Sequence, residues 1–282
     1  MSEKGKGSFL RVLKRAQTLW MRFTSTGAGT HASSIAFFTF LSLIPLLALC
    51  ISLISIAGIN EEQVTAFFTG IVPDAFNDFT KTLVGDAVER SGIAFSLSTI
   101  TLLWTASQGA RALRNGLNAV LGAEESRSIA VVIGISFGAV IVLGVLLALT
   151  MYLVFGGVVM RTVSWLTPGN IEHDDALDIV TSVVLAIAGV IALTLCYAFL
   201  PAKSGRLAAQ LPGAIFASVT CGLLTGGFRV YVDNFCNYDA LYGNIATIAL
   251  FLFWLYLVSY ILLAGGYINR IIAESKREAK DK

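Results

Sequence analysis

Charge is scarce in this chain of 282 residues: 13% are Asp, Glu, Lys or Arg, and 56% are hydrophobic. A soluble domain carries roughly 25% charged residues, so there is too little charge here to cover a soluble surface. The mean hydropathy of +0.76 excludes the same class. Histidine is nearly missing: His31 and His173 are the only two, and neither sits beside a nucleophile or a ligand cluster. The four cysteines, Cys50, Cys196, Cys221 and Cys236, form no CxxC and lie away from histidine. That spacing argues against a metal site or a disulfide framework, and the cysteines read as small hydrophobes. No glycine-rich phosphate loop, Pro/Ser-rich linker, low-complexity block or internal repeat divides the chain. The start lacks the small-residue cleavage motif of a secretory signal. Net charge, at +2, says nothing about partners.

What is present is a set of long intervals without any charge: 23–60, 91–110, 128–160, 179–202, 207–228 and 240–269. Each holds an apolar core near the ~20 residues that a helix needs to cross ~30 Å of hydrocarbon. Membrane β-strands alternate in polarity and are about half as long, so they do not fit. Helices satisfy their own backbone groups in lipid, which forces the choice. The chain is therefore expected to be an all-α membrane protein with spans near 33–58, 91–110, 130–157, 177–200, 212–233 and 244–269.

The bias of Lys and Arg orients these six spans. Sixteen of the 20 fall on the side that receives both termini and the 111–127 and 201–211 connections; Lys81, Arg90, Arg161 and Arg229 fall on the other. Both termini are thus expected in the cytoplasm, with the protein in a bacterial inner membrane. Three parts follow: a cytoplasmic segment 1–30, a membrane domain 31–270 and a basic tail 271–282. Within the first, 8–23 reads as an amphipathic interfacial helix, with Phe9, Val12, Leu13, Ala16, Trp20 and Phe23 opposite Arg11, Lys14, Arg15 and Arg22. Outside, 60–90 reads as two amphipathic helices separated by Pro73. Glu172, Asp174, Asp175 and Asp178 around His173 read as a solvated loop face in preference to a weak cation site.

Three polar features interrupt the apolar pattern. Pro45 lies mid-span and removes one backbone bond, which makes Ser42 and Pro45 candidates for a kink or a hinge. Ser34, Thr39 and Ser42 precede it as candidate partners for the freed carbonyls. At the inner end of the second span, Ser107, Arg111, Arg114 and Asn118 recur at spacings that share one helical face. Two planar guanidiniums and two polar side chains suit a phosphate or carboxylate, such as a lipid headgroup; the bland alternative is positive-inside anchoring. Near the outer end of the fifth span, Arg229 and Asp233 are four residues apart, with Tyr231 and Tyr242 nearby. They form a candidate ion pair or outer gate. Gly134/Gly138 and Gly222/Gly226 are GxxxG pairs, expected where helices approach closely.

The segments Ala32 to Leu47, Trp104 to Asn118, Leu211-Pro212-Gly213-Ala214 and Tyr242 to Asn269 together resemble the YihY/BrkB family of bacterial inner-membrane proteins. The resemblance covers about 31–269. It implies six spans and a loose link with virulence, serum resistance and envelope lipid handling, and it brings an old ribonuclease label. The family's Gly-Ala-Glu-x-Asn ending is altered here, where Gly266 and Tyr267 replace the Ala and Glu. Nuclease chemistry would need a cytoplasmic carboxylate or histidine cluster and a basic soluble surface with stacking aromatics, and neither is found. The expected function is transport or binding of an amphipathic anionic molecule, a lipid or lipid precursor, by a protein that is not an enzyme. The alternative is a non-transporting scaffold for envelope assembly or virulence-related partners. No cofactor, metal or nucleic acid is expected; membrane lipids are the expected partners, with a homo-oligomer left open.

Overall fold

The structure, a computed structural model, describes residues 14, 17–57, 77, 78, 81, 82, 94–128, 130–139, 175–203, 205–235 and 244–279. Every regular element among them is helical: α1 (17–24), α2 (Ala28–Ala57), α3 (Ala94–Leu121), α4 (Ala130–Ala139), α5 (Asp175–Phe199), α6 (Leu207–Phe235) and α7 (Asn244–Glu278). The region 60–90, expected to be external, is described only at 77–78 and 81–82, which are helical, with Lys81 3.6 Å from Asp78. His173 and its acidic neighbours Glu172 and Asp174 lie outside the described residues, as does most of the expected third span.

Among the described residues, two helices are long and apolar enough to cross a membrane, over Leu207–Tyr231 and Ile248–Glu278. Their surroundings argue the same point. Leu223 on α6 is 73% exposed, and Ile215, Val219 and Val230 of that helix and Ile187 and Ile191 of α5 are also exposed. A row of large aliphatic side chains facing outward suits a hydrocarbon solvent and not water.

α7 is the hub of the bundle. It packs against α2, α3 and α6, while α2 also packs along α3, and α6 along α5. Alanine spacing explains the closeness of α2: Ala28, Ala32 and Ala36 recur every four residues and are all buried. Small residues on one face let backbones approach, which is how helices associate where no hydrophobic effect drives them together. Ile35 joins that face, and the core continues through Leu117, Val120, Tyr197, Ala214 and Leu263.

Several helix ends meet at one pole of the bundle, here termed the basic end. Phe23 of α1 is 3% exposed and places its ring 5.2 Å from Tyr260 and 5.3 Å from Tyr267 of α7. The start of α1's partner α2 lies against the end of α3, where a side chain added at Gly116 would meet His31 and Leu263. α1 is therefore docked on protein through Phe23 rather than held by lipid alone; Phe9, Val12, Leu13 and Ala16 lie outside the described residues. Gly27, with φ of 74°, turns the chain from α1 into α2 in the left-handed region that glycine enters without strain.

α3 runs past the expected span end near 110 to Leu121 and carries the basic stripe as helix, as its spacing predicts. α2 continues as helix through Pro45. Two expectations are adjusted. Ser42 Oγ donates to the Thr39 carbonyl at 2.8 Å, so it does not serve the carbonyl that Pro45 leaves unpaired. The GxxxG glycines are not helix contacts among the described residues: a Cβ on Gly134, Gly138, Gly222 or Gly226 would meet nothing within 4 Å. Close approach occurs instead between Gly213 of α6 and Gly265 of α7, where an added Cβ on either would strike the other's carbonyl oxygen.

Candidate functional site

The end of α3 is built by its cap. Gly122 has φ of 62°, its N–H donates to the Ala119 carbonyl at 3.2 Å, and the Ala123 N–H donates to the Asn118 carbonyl at 2.9 Å. These two bonds define a Schellman ending, which glycine favours because the left-handed residue has no Cβ to clash. The reversal folds 123–128 back against the helix that precedes it. Glu125 comes to lie 3.4 Å from an Arg114 terminal nitrogen, and Asn118 Nδ2 donates to the same carboxylate oxygen at 3.2 Å.

Asn118 joins two segments. Its Oδ1 accepts from the Ala202 N–H at 2.8 Å, at the turn that follows α5. Arg127, just past the cap, donates to the carbonyls of Pro201 at 2.8 Å and Ala202 at 3.1 Å. A short polar belt thus ties α3, the 122–128 turn and the α5–α6 turn together. On the other flank, Arg270 of α7 donates to the Val120 carbonyl at 3.0 Å and to Glu274 at 2.7 Å. Nearby, Asn269 accepts from the Gly213 N–H at 2.8 Å and donates to the backbone and side-chain oxygens of Gln210.

The four residues of the predicted stripe are placed unequally. Ser107, Arg114 and Asn118 are buried, whereas Arg111 is half-buried. Ser107 Oγ donates to the Trp104 carbonyl at 2.8 Å, a bond internal to its own helix. Arg114 donates to Asn115 at 3.1 Å besides facing Glu125. The stripe therefore lies on one face, as its spacing predicts, but half of it is engaged in holding the turn.

What remains is a surplus of donors. Arg111 Nε, Arg114 Nε and Arg127 Nη1 are shielded from solvent and have no hydrogen-bond partner among the described residues. Glu125 is the carboxylate that the Arg114 guanidinium meets there, and it also accepts from the Arg127 backbone N–H at 3.2 Å. Burial lowers the pKa of Arg114, Glu125 opposes this, and Arg127 and Arg111 add to the lowering, so Arg114 senses the charge of both neighbours. Guanidiniums with unused N–H groups, held rigidly and close together, are suited to grip an anion through charge-assisted bonds. Glu125 and Arg127 were not among the residues singled out from the sequence. The signal for them was Gly122, a helix stop that brings the next few residues back onto the stripe.

The other sequence candidates are less fully placed. Arg229 and Tyr231 are exposed on α6, with the Tyr231 ring 6.1 Å from Phe228. The side chain of Asp233, and Tyr242 altogether, lie outside the described residues, so the expected pairing falls there too. Cys196 and Cys221 are free thiols within helices. Tyr267, which stands where the family resemblance implies Glu, is 7% exposed and packs on Phe23.

An all-helical bundle with outward aliphatic faces is the architecture of a helical membrane protein. The virulence factor BrkB family model matches residues 19–282, and the chain belongs to that family. Among curated relatives, it is 29% identical to the ribonuclease-like protein YfkH of Bacillus subtilis, covering 92% of this chain and 95% of that protein. It is 27% identical to the UPF0761 membrane protein PSHAa0171 of Pseudoalteromonas translucida, over 96% of this chain and 90% of that one. A UPF0761 membrane protein of Photobacterium profundum is 26% identical over 97% of this chain and 86% of its own length. No solved structure matches.

Proposed function

We propose that this protein binds an anionic, phosphate-bearing amphipath from the membrane at its basic end, as part of handling or moving that molecule. The observation that carries the reading is the set of unpartnered, solvent-shielded nitrogens on Arg111, Arg114 and Arg127. Stranding such donors costs about 1–3 kcal/mol each, more for charged groups, so a fold that keeps three together is suited to an anion that occupies them. Positive-inside anchoring accounts for arginine at a headgroup level, but not for burying its nitrogens away from headgroups and water.

The reading includes six spans with both termini in the cytoplasm of a bacterial inner membrane. It is supported by the Lys/Arg asymmetry, and by the meeting of α1, the end of α3, the α5–α6 turn and the end of α7 at one pole. A cytoplasm-dependent reporter fused after Lys282 is expected to be active; silence there overturns the orientation.

Arg111 gives the clean functional test because Arg114 and Arg127 also hold the turn. Arg111→Lys keeps the charge and loses the planar fork. We expect the variant to fold normally and to retain several-fold less anionic phospholipid than wild type after purification in mild detergent, measured by mass spectrometry. Equal retention overturns the anion-binding reading. It would promote the scaffold alternative, which the engagement of Asn118 and Arg114 in the 122–128 turn favours.

A further inference from the structure

A second feature lies next to the turn that Arg127 holds. Between α4 and α5 is a cavity of about 240 Å³, lined by Ile135, Gly138, Ala192, Leu195, Cys196 and Leu200 among others. No charged side chain contributes to it. Its lower end is Leu200, and the next residue, Pro201, is the one whose carbonyl Arg127 holds at 2.8 Å. Its upper end is marked by Ala192, so along α5 it runs from 192 to 200, a rise of about 12 Å at 1.5 Å per residue. An apolar cavity of this size stays dry and takes apolar guests; one of about 150 Å³ is already enough for benzene. It is open on the α4 side at Gly138, where an added Cβ would meet nothing within 4 Å.

Building on the proposed function, we propose that this groove receives an acyl chain of an anionic phospholipid whose phosphate is held by Arg127 and its neighbours Arg111 and Arg114. The lipid then sits on the flank of the bundle, between α4 and α5, and enters sideways from the cytoplasmic leaflet. Charge complementarity selects this occupant. A neutral lipid leaves the unpartnered guanidinium nitrogens stranded, and a soluble anion leaves the dry groove unfilled. A phospholipid of one negative charge satisfies both ends at once. Gly138 belongs to a GxxxG pair that packs against nothing described, and a groove wall gives it a reason to be small.

The test uses the full-length protein in nanodiscs of phosphatidylcholine containing a minor fraction of phosphatidylglycerol that carries a diazirine on its acyl chain. Crosslinks are expected within 130–139 and 192–200; crosslinks spread evenly over the outward face of α6 overturn the groove. A second arm uses Gly138→Phe, which fills the groove without touching an arginine, with thermal unfolding as the folding control. Retention of phosphatidylglycerol is expected to fall at least tenfold, with glycerol phosphate still competing for the arginines. Loss in Arg111→Lys but not in Gly138→Phe would refute the groove and leave the anion site standing. Loss in neither would refute both. Equal loss of phosphatidylcholine and phosphatidylglycerol in Gly138→Phe would also overturn the proposal, because it would show a general lipid contact without charge selection.

Discussion

Gly213 and Gly226 lie on the same helix in opposite surroundings. At Gly213, α6 and α7 are so close that a methyl group would strike the Gly265 carbonyl and the Asn269 side chain. At Gly226, and equally at Gly222, the same methyl group would meet nothing within 4 Å. The sequence pattern favours the second place, since Gly222 and Gly226 form GxxxG and Gly213 does not. The difference lies in the partner. α7 presents Gly265 opposite Gly213 and, one turn on, an amide at Asn269 that accepts the Gly213 N–H. In a bilayer, helices adhere through close packing and polar bonds, so a small residue becomes a contact only where a neighbour supplies both.

That contrast orders three expected outcomes. The largest belongs to Gly213→Ala: overpacking costs roughly 1–3 kcal/mol in an adaptable core, and here the obstacle is backbone. We expect about 3 kcal/mol or more in detergent unfolding, or failure to accumulate in membranes; near-wild-type stability would show that the crossing can open freely. An intermediate effect belongs to Asn118→Ala, which leaves the half-buried Ala202 N–H without that acceptor and removes one contact from Glu125. A cost of about 1–3 kcal/mol is expected. Because Arg114 shares that carboxylate, Asn118→Ala and Glu125→Gln should combine non-additively; strict additivity would mean that the belt is not one unit. The smallest effect belongs to Gly226→Ala, expected within about 0.5 kcal/mol of wild type or slightly stabilising, since alanine favours helix. A large loss there would reveal a partner on the outward face of α6.

Long uncharged intervals made most of the helices legible, because lipid admits few charges and no unpaired backbone. The end of α3 was harder to place. Arg111 and Arg114 read as the inner edge of a span, and the helix continues past them to Leu121 with Arg114 turned onto Glu125. The stripe of Ser107, Arg111, Arg114 and Asn118 was legible from spacing alone, since a helix face is a local property. Its partners were not: Ala202 is 84 residues from Asn118, and Pro201 is 74 from Arg127. No periodicity encodes such distances. Tyr267 shows the same limit, since only its contact with Phe23 explains a bulky ring in that position.

Those separations also set a timetable. Chains emerge from the ribosome at roughly 5–20 residues per second, N-terminus first. After Asn118 is made, the 84 residues up to Ala202 take roughly 4–17 s, and the 150 from Val120 to Arg270 take roughly 8–30 s. During the first interval α3 already carries its arginines, while the turn that will anchor Asn118 and Arg127 does not yet exist. The partners for the 118–202 bond are therefore available well before those for the 213–269 and 120–270 bonds, which are completed by neighbouring residues made last. A nascent chain stalled before Pro201 would hold its basic stripe without that anchorage.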